Sequence, residues 1–165
     1  IERRPGKVKE AANGMQQALS RGEVISIFPE ATTGNGVHVL PFKSGFFSLA
    51  EGEYAGQPLA VQPVAMTYTR VCNLPVDTQT WHKIAWYGDM DMLPHLWDFL
   101  RLGSMQVELR FLEPVHIGQF ADRKAMANHC QQLITAAIDD IREEQRTLPA
   151  QKTAASSWFS FRSKS

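Results

Sequence analysis

Apolar residues recur at three- and four-residue spacing from Val8 to Arg21. Val8, Ala11, Ala12, Met15, Ala18 and Leu19 outline one side of a helix, and Gly22 supplies its stop. The next run, Val24-Ile25-Ser26-Ile27-Phe28, is short and almost wholly apolar, as expected of a strand covered on both faces. It ends abruptly in Pro29 and the carboxylate of Glu30. The Gly-, Thr- and Asn-rich stretch from Ala31 to Leu40 reads as a loop. Phe42 to Gly52 reads as a short helix with Phe46, Phe47, Leu49 and Ala50 turned inward. Leu59 to Tyr68 predicts a strand with an edge, bulge or break at Pro63. A further strand is predicted over Trp81 to Tyr87, then a short amphipathic helix over Leu93 to Leu102. Val107, Leu109 and Phe111 alternate with Gln106, Glu108 and Arg110, which predicts a strand over Met105 to Leu112 with one wet face. Asp122 to Gln145 is the longest helix. Asp122 serves as its cap, and Ala125, Met126, His129, Leu133, Ala136, Ala137 and Ile141 form its apolar side.

Helices alternating with strands predict an α/β fold: a mixed, largely parallel sheet flanked by helices. From Arg146 the chain turns polar and small, so residues 1–145 are expected to form the domain and residues 146–165 a flexible tail. Lys plus Arg and Asp plus Glu both number 17, which leaves no net charge to recruit nucleic acid. No apolar run approaches the ~20 residues that span a bilayer. Cys72 and Cys130 lack metal-ligand or redox spacing and read as free thiols of a reducing compartment. The chain opens on Ile1-Glu2-Arg3-Arg4-Pro5-Gly6-Lys7, a polar turn of the kind that follows a strand. The expectation is a domain truncated at its N-terminus.

Three blocks carry the chemistry. Phe28-Pro29-Glu30-Ala31-Thr32-Thr33-Gly34 is followed by Leu40-Pro41-Phe42-Lys43-Ser44-Gly45, then by Val61-Gln62-Pro63-Val64. On spacing alone, Glu30 reads as a solvated turn residue or a capping carboxylate. Taken together and in this order, the blocks resemble those of the glycerolipid acyltransferases, the lysophosphatidic-acid-acyltransferase-like enzymes. The first is similar to that family's Phe-Pro-Glu-Gly-Thr-Arg, the last to its Val-x-Pro-Val strand, and Ile1-Glu2-Arg3 to its Ile-x-Arg element. The resemblance covers roughly residues 1 to 115 by block order. It implies a glycerol-3-phosphate-acyltransferase-like fold and transfer of an acyl group from acyl-CoA or acyl-carrier protein, as co-substrate, to a lipid hydroxyl.

Such chemistry needs a base for the hydroxyl and donors for the thioester oxyanion. The family's base lies in a His-x4-Asp motif. The residues five positions after His38, His82, His95, His116 and His129 are Lys43, Tyr87, Leu100, Ala121 and Ile134, so no catalytic residue is assigned within this chain, which is expected to be inactive alone. Acceptor binding is implied for Arg3, as a phosphate-binding guanidinium, and for Glu30, Ala31, Thr32, Thr33 and Pro63. Ala31 stands where the family has Gly, and Thr33 where it has Arg. The Thr-Thr-Gly form looks like the branch that acylates other lyso-lipids, including lyso-ornithine lipid. The resemblance further implies an acyl donor, a lyso-lipid acceptor and a membrane surface as partners, at the cytoplasmic face of a bacterial inner membrane, with no cofactor.

Other candidates have blander readings beside them. His129 reads as a core residue, and His82 and His95 as structural. Asp89 and Asp91 cap a helix as well as they pair, and no metal is assigned. Leu93, Leu96, Trp97, Phe99, Leu100 and Leu102 read first as core packing, with a membrane- or acyl-chain-facing role as the alternative. The rival to catalysis is a non-catalytic lipid-binding module with a groove near Phe46, Phe47 and Trp97.

Overall fold

The computed structural model describes residues 5–77, 80, 81, 84, 85, 88 and 91–147. Helix α1 (Pro5–Ser20) begins on Pro5, whose missing N–H costs nothing in a first turn. It stops as the sequence predicts. Gly22 adopts φ +78°, and the amides of Gly22 and Glu23 donate back to the carbonyls of Leu19 and Ala18. That pattern satisfies the last carbonyls of the helix, and only glycine adopts this φ freely.

A 3-10 helix, Ser44–Glu51, follows a long irregular stretch. A small hairpin pairs strands β1 (Glu53–Tyr54) and β2 (Gln57–Pro58). The main sheet has the order β4-β3-β5, from β3 (Val64–Val71), β4 (Leu74–Pro75) and β5 (Met105–Phe111). Both hairpin turns use two left-handed residues, Ala55-Gly56 and Cys72-Asn73. Such turns match the twist of paired strands. Helix α2 (Met92–Arg101) leads into β5, and α3 (Arg123–Thr147) closes the described chain. Asp122 caps α3, its Oδ1 accepting from the Ala125 amide at 2.8 Å.

Helix α3 joins two core clusters. Towards its start, Met126, Ala127 and Cys130 pack with Phe47, Ala50 and Val115. Further along, Ala137, Ile138 and Ile141 pack with Ala65 of β3. The buried side is turned slightly from the predicted one: Cys130 and Ile138 lie inside and Ala136 outside.

Four expectations need correction. Every strand pairing among the described residues is antiparallel, not largely parallel. The short turns at Ala55-Gly56 and Cys72-Asn73 dictate this for β1–β2 and β3–β4, because a two-residue connection can only reverse the chain; β5 also runs antiparallel to β3, which it reaches by the longer connection through α2. Val24 to Phe28 is not a strand, and Val24 and Phe28 are 97% and 73% exposed. An apolar run becomes a strand only where a neighbour takes its backbone groups, and no described strand does so. At Thr80, Trp81 and Ile84 the backbone is helical and not extended: the Trp81 amide donates to the Asp77 carbonyl, and the Ala85 amide to that of Trp81, while His82, Lys83, Trp86 and Tyr87 of the predicted strand lie outside the described residues. Finally, the faces of β5 are inverted. Val107, Leu109 and Phe111 are the exposed set. Glu108 and Arg110 are partly buried, and Arg110 also reaches Glu144 of α3 at 3.1 Å. Burial by itself lowers the Arg110 pKa, but the hydrogen bonds and charges of Glu108 and Glu144 outweigh it and raise the value overall.

Candidate functional site

The predicted site centres on the segment from Phe28 to Lys43. The Ala31 amide donates to the Phe28 carbonyl at 3.2 Å, closing a tight turn through Pro29 and Glu30. Ala31 sits at φ +59°, in the left-handed region. An L-residue pays about 1 kcal/mol or more there, and glycine pays almost nothing. The turn is tied at both ends of the loop. Glu30 Oε2 accepts from the Leu40 amide at 2.9 Å, and the Pro29 carbonyl accepts from the Lys43 amide at 2.8 Å. Glu30 therefore braces the loop with one carboxylate oxygen. Thr32 and Thr33 are exposed.

Residues that sequence reasoning passed over hold the far side of this loop. Arg142 of α3 donates to the carbonyls of Val37 at 2.6 Å and Gly36 at 2.7 Å. Its guanidinium also stacks over the Trp81 ring, 5.3 Å from the centroid. Burial lowers the Arg142 pKa, Asp139 works to raise it, and Arg146 lowers it further. Gly36 has φ +74°, and a Cβ there would lie 2.6 Å from Trp81 Cε3. Both conformation and space therefore demand glycine. Asn35 Oδ1 accepts from the Val37 amide, and Gln131 Oε1 from the Phe42 amide. The only sequence signal for this arrangement was a cation on the longest helix, indistinguishable there from a surface charge.

Pro63 is buried at the entry to β3. Its carbonyl accepts from the Leu112 amide at 3.0 Å, and Gln62 Nε2 donates to the Leu112 carbonyl. Pairing resumes at Val61 with Val115, one residue out of register with Val64 and Phe111. The predicted break is thus a register slip at a residue with no N–H. Glu30 and Ala31 share one turn, Thr32 and Thr33 follow it directly, and Pro63 is placed by the sheet. Arg3 lies outside the described residues.

Phe47 is buried against Met126 and Cys130, and Phe46 packs against the same cluster, while Trp97 is 64% exposed on α2. The structure does not bring them into one groove. His129 packs its ring against Phe120 at 5.1 Å, as a structural residue. Two surface depressions of about 420 Å³ lie along α1, beside Asn13 and Gln17, and along α3, beside Gln132 and Asp139; Glu30, Thr32 and Thr33 line neither. Among the described residues, no group of three or more His, Cys, Asp or Glu is placed to hold a metal ion. No described helix is long and apolar enough to cross a membrane.

The sequence model of the acyltransferase family matches residues 1–67, which contain the whole braced loop and Pro63. A lyso-ornithine lipid O-acyltransferase of Brucella abortus (strain 2308) is 37% identical over 142 residues, 84% of this chain and 53% of the relative. The chain belongs to the acyltransferase family. A lyso-ornithine lipid O-acyltransferase of Rhizobium meliloti (strain 1021) is 32% identical over 131 residues, 78% of this chain and 45% of the relative. A 1-acyl-sn-glycerol-3-phosphate acyltransferase of Neisseria gonorrhoeae is 27% identical over 124 residues, 75% of this chain and 45% of the relative. The chain spans about half the length of the curated relatives it matches. No solved structure matches. Within this chain, the left-handed φ of Ala31 gives a physical reason for glycine at the matching position of the family's Phe-Pro-Glu-Gly-Thr-Arg block.

Proposed function

We propose that the full-length protein carrying this chain is a lyso-lipid O-acyltransferase of membrane lipid synthesis, and that the Phe28 to Leu40 loop holds its acceptor. The acceptor hydroxyl attacks the thioester carbonyl of acyl-CoA or acyl-carrier protein. A C–O bond forms, the C–S bond breaks, the hydroxyl proton passes to a base and the thiol leaves. No histidine of residues 1–165 carries the His-x4-Asp motif, so in this reading the base comes from elsewhere in the full-length protein and the chain alone is inactive. The work takes place at the cytoplasmic face of a bacterial inner membrane, where the acceptor resides, and Arg3 joins the loop in holding it.

One observation carries the reading: the loop, fixed by Glu30 to the Leu40 amide and by Arg142 at the Gly36 and Val37 carbonyls, carries two exposed threonines just after its tight turn. Rigid loops of this kind position a substrate better than mobile ones. The acceptor favoured is of the lyso-ornithine type over 1-acylglycerol-3-phosphate. Thr33 offers a hydroxyl but no cation, whereas a phosphate monoester is best held by a guanidinium. An ornithine head group carries an ammonium beside its carboxylate and asks less of an arginine. The test is Thr33→Arg in the full-length protein. The expected result is a shift of kcat/KM towards 1-acylglycerol-3-phosphate relative to lyso-ornithine lipid. An unchanged ratio with full activity contradicts the assignment of Thr33 to the head group.

A further inference from the structure

Helix α2 is oriented against its own amphipathic pattern. Leu93, Leu96, Trp97 and Leu100 fall at i, i+3, i+4 and i+7, a single stripe along one side. They are 72%, 46%, 64% and 62% exposed. The half-buried residues are His95, Phe99 and Leu102, which lie on another side of the helix. That side, and not the stripe, faces the rest of the described chain. The C-terminal end of the helix is fixed to the β3–β4 turn: Cys72 Sγ donates to the Leu102 carbonyl at 2.9 Å, and the Cys72 amide to the Ser104 carbonyl at 2.8 Å. The outward stripe is thus held in place on a short anchored helix.

The charges are sorted about this stripe. Arg101 follows Trp97 by one turn and borders the stripe. The carboxylate of Asp98, the one acidic residue within the helix, falls on the side away from it. Leucines bordered by tryptophan and arginine, with the acid turned away, complement the boundary between acyl chains and anionic head groups. Tryptophan in particular prefers that boundary, where its ring is apolar and its N–H is wet. A protein partner offers no comparable reason for a helix stripe flanked by tryptophan and arginine with no carboxylate in it. The helix is about 15 Å long by its rise per residue, which suits lying in the interface and not spanning it.

We propose that α2 is an interfacial membrane-contact helix that seats the Leu93, Leu96, Trp97 and Leu100 stripe among the acyl chains of an anionic bilayer, with Arg101 on the lipid phosphates. The proposal rests on the lyso-lipid reading only for its purpose, which is to hold the protein at the surface where lyso-lipids reside.

The full-length protein with Leu96→Cys, carrying a bimane label and with Cys72→Ser to keep labelling specific, tests it directly. It is added to vesicles of phosphatidylcholine with a minority of phosphatidylglycerol, bearing nitroxides on the acyl chains. The expected result is a blue-shifted emission quenched by the nitroxides. A label that stays unquenched, whether in water, in a soluble oligomer or under another part of the same protein, overturns the proposal. This readout needs no turnover, so it stands apart from the acyltransferase reading, which fails if the wild-type protein acylates no lyso-lipid in any form. A second arm uses Leu96→Asp/Leu100→Asp, at exposed positions. Its kcat/KM is expected to fall roughly tenfold or more for acceptor embedded in vesicles. It is expected to be unchanged for a short-chain, monomeric acceptor. An equal fall for both assigns the stripe to packing within the protein and also overturns the proposal.

Discussion

Arg142 reaches across from α3 to the carbonyl of Gly36 at 2.7 Å, linking the longest helix to the loop that carries Glu30 and both threonines. The same guanidinium holds the Val37 carbonyl at 2.6 Å and covers Trp81. Truncation leaves two half-buried carbonyls without this donor. Arg142→Ala is expected to cost about 2 kcal/mol of stability. Arg142→Lys recovers little, because an ammonium cannot match the planar pair of bonds. Urea unfolding measures the cost, and faster hydrogen exchange at the Leu40 amide reports the loosened loop.

Glu30 has a bracing role and a proposed binding role, and two substitutions separate them. Glu30→Gln keeps an acceptor for the Leu40 amide and is expected to change stability by less than about 0.5 kcal/mol. Glu30→Ala removes that acceptor and costs about 1 kcal/mol. In the full-length protein both raise the acceptor KM if the carboxylate's charge meets the head group. A rise with alanine alone reduces Glu30 to a brace.

Ala31 at φ +59° is a strained site that glycine relieves. Ala31→Gly is expected to leave stability unchanged or raise it by up to about 1 kcal/mol, since relief in the folded state competes with added freedom in the unfolded one. Ala31→Val, branched at Cβ, is expected to lose about 1 kcal/mol or more by the same steric argument. Denaturation midpoints of the three proteins rank them.

Cys130 lies buried in the first core cluster, and burial pushes its thiol up from 9.0 to about 11, its own backbone hydrogen bond opposing this weakly. The folded state therefore favours the protonated thiol. Its contribution is whole below pH 9.0 and is lost as the pH rises towards about 11, where the unfolded chain ionises first. Wild-type stability is expected to fall more steeply across that window than that of Cys130→Ala. At pH 8 iodoacetamide is expected to modify exposed Cys72 and spare Cys130 until the protein unfolds.

The helices were legible because their signals are local. Gly22 ends α1, Asp122 caps α3, and the spacing of Leu93, Leu96, Trp97 and Leu100 marks α2. What failed depends on distant partners. The pattern of β5 shows two unlike faces but not which one meets α3; ion pairing with Glu144 drew the polar face inward. Val24 to Phe28 has strand composition, but pairing is decided by a neighbour. The turn at Glu30 was recognisable from its block, whereas Arg142 lies about a hundred residues away and carries no local mark. The leucine stripe of α2 announced itself as apolar, yet periodicity alone gives no direction.

The central claim is acyl transfer to a lyso-lipid, and it is tested most directly by one assay. The full-length protein is incubated with labelled acyl-acyl-carrier protein or acyl-CoA, and lyso-ornithine lipid and 1-acylglycerol-3-phosphate are offered in parallel. The account predicts labelled ornithine lipid in excess over labelled phosphatidic acid, and loss of that product in Arg3→Ala. Binding of the lyso-lipid without any labelled product contradicts it and leaves a lipid-binding protein in place of an enzyme.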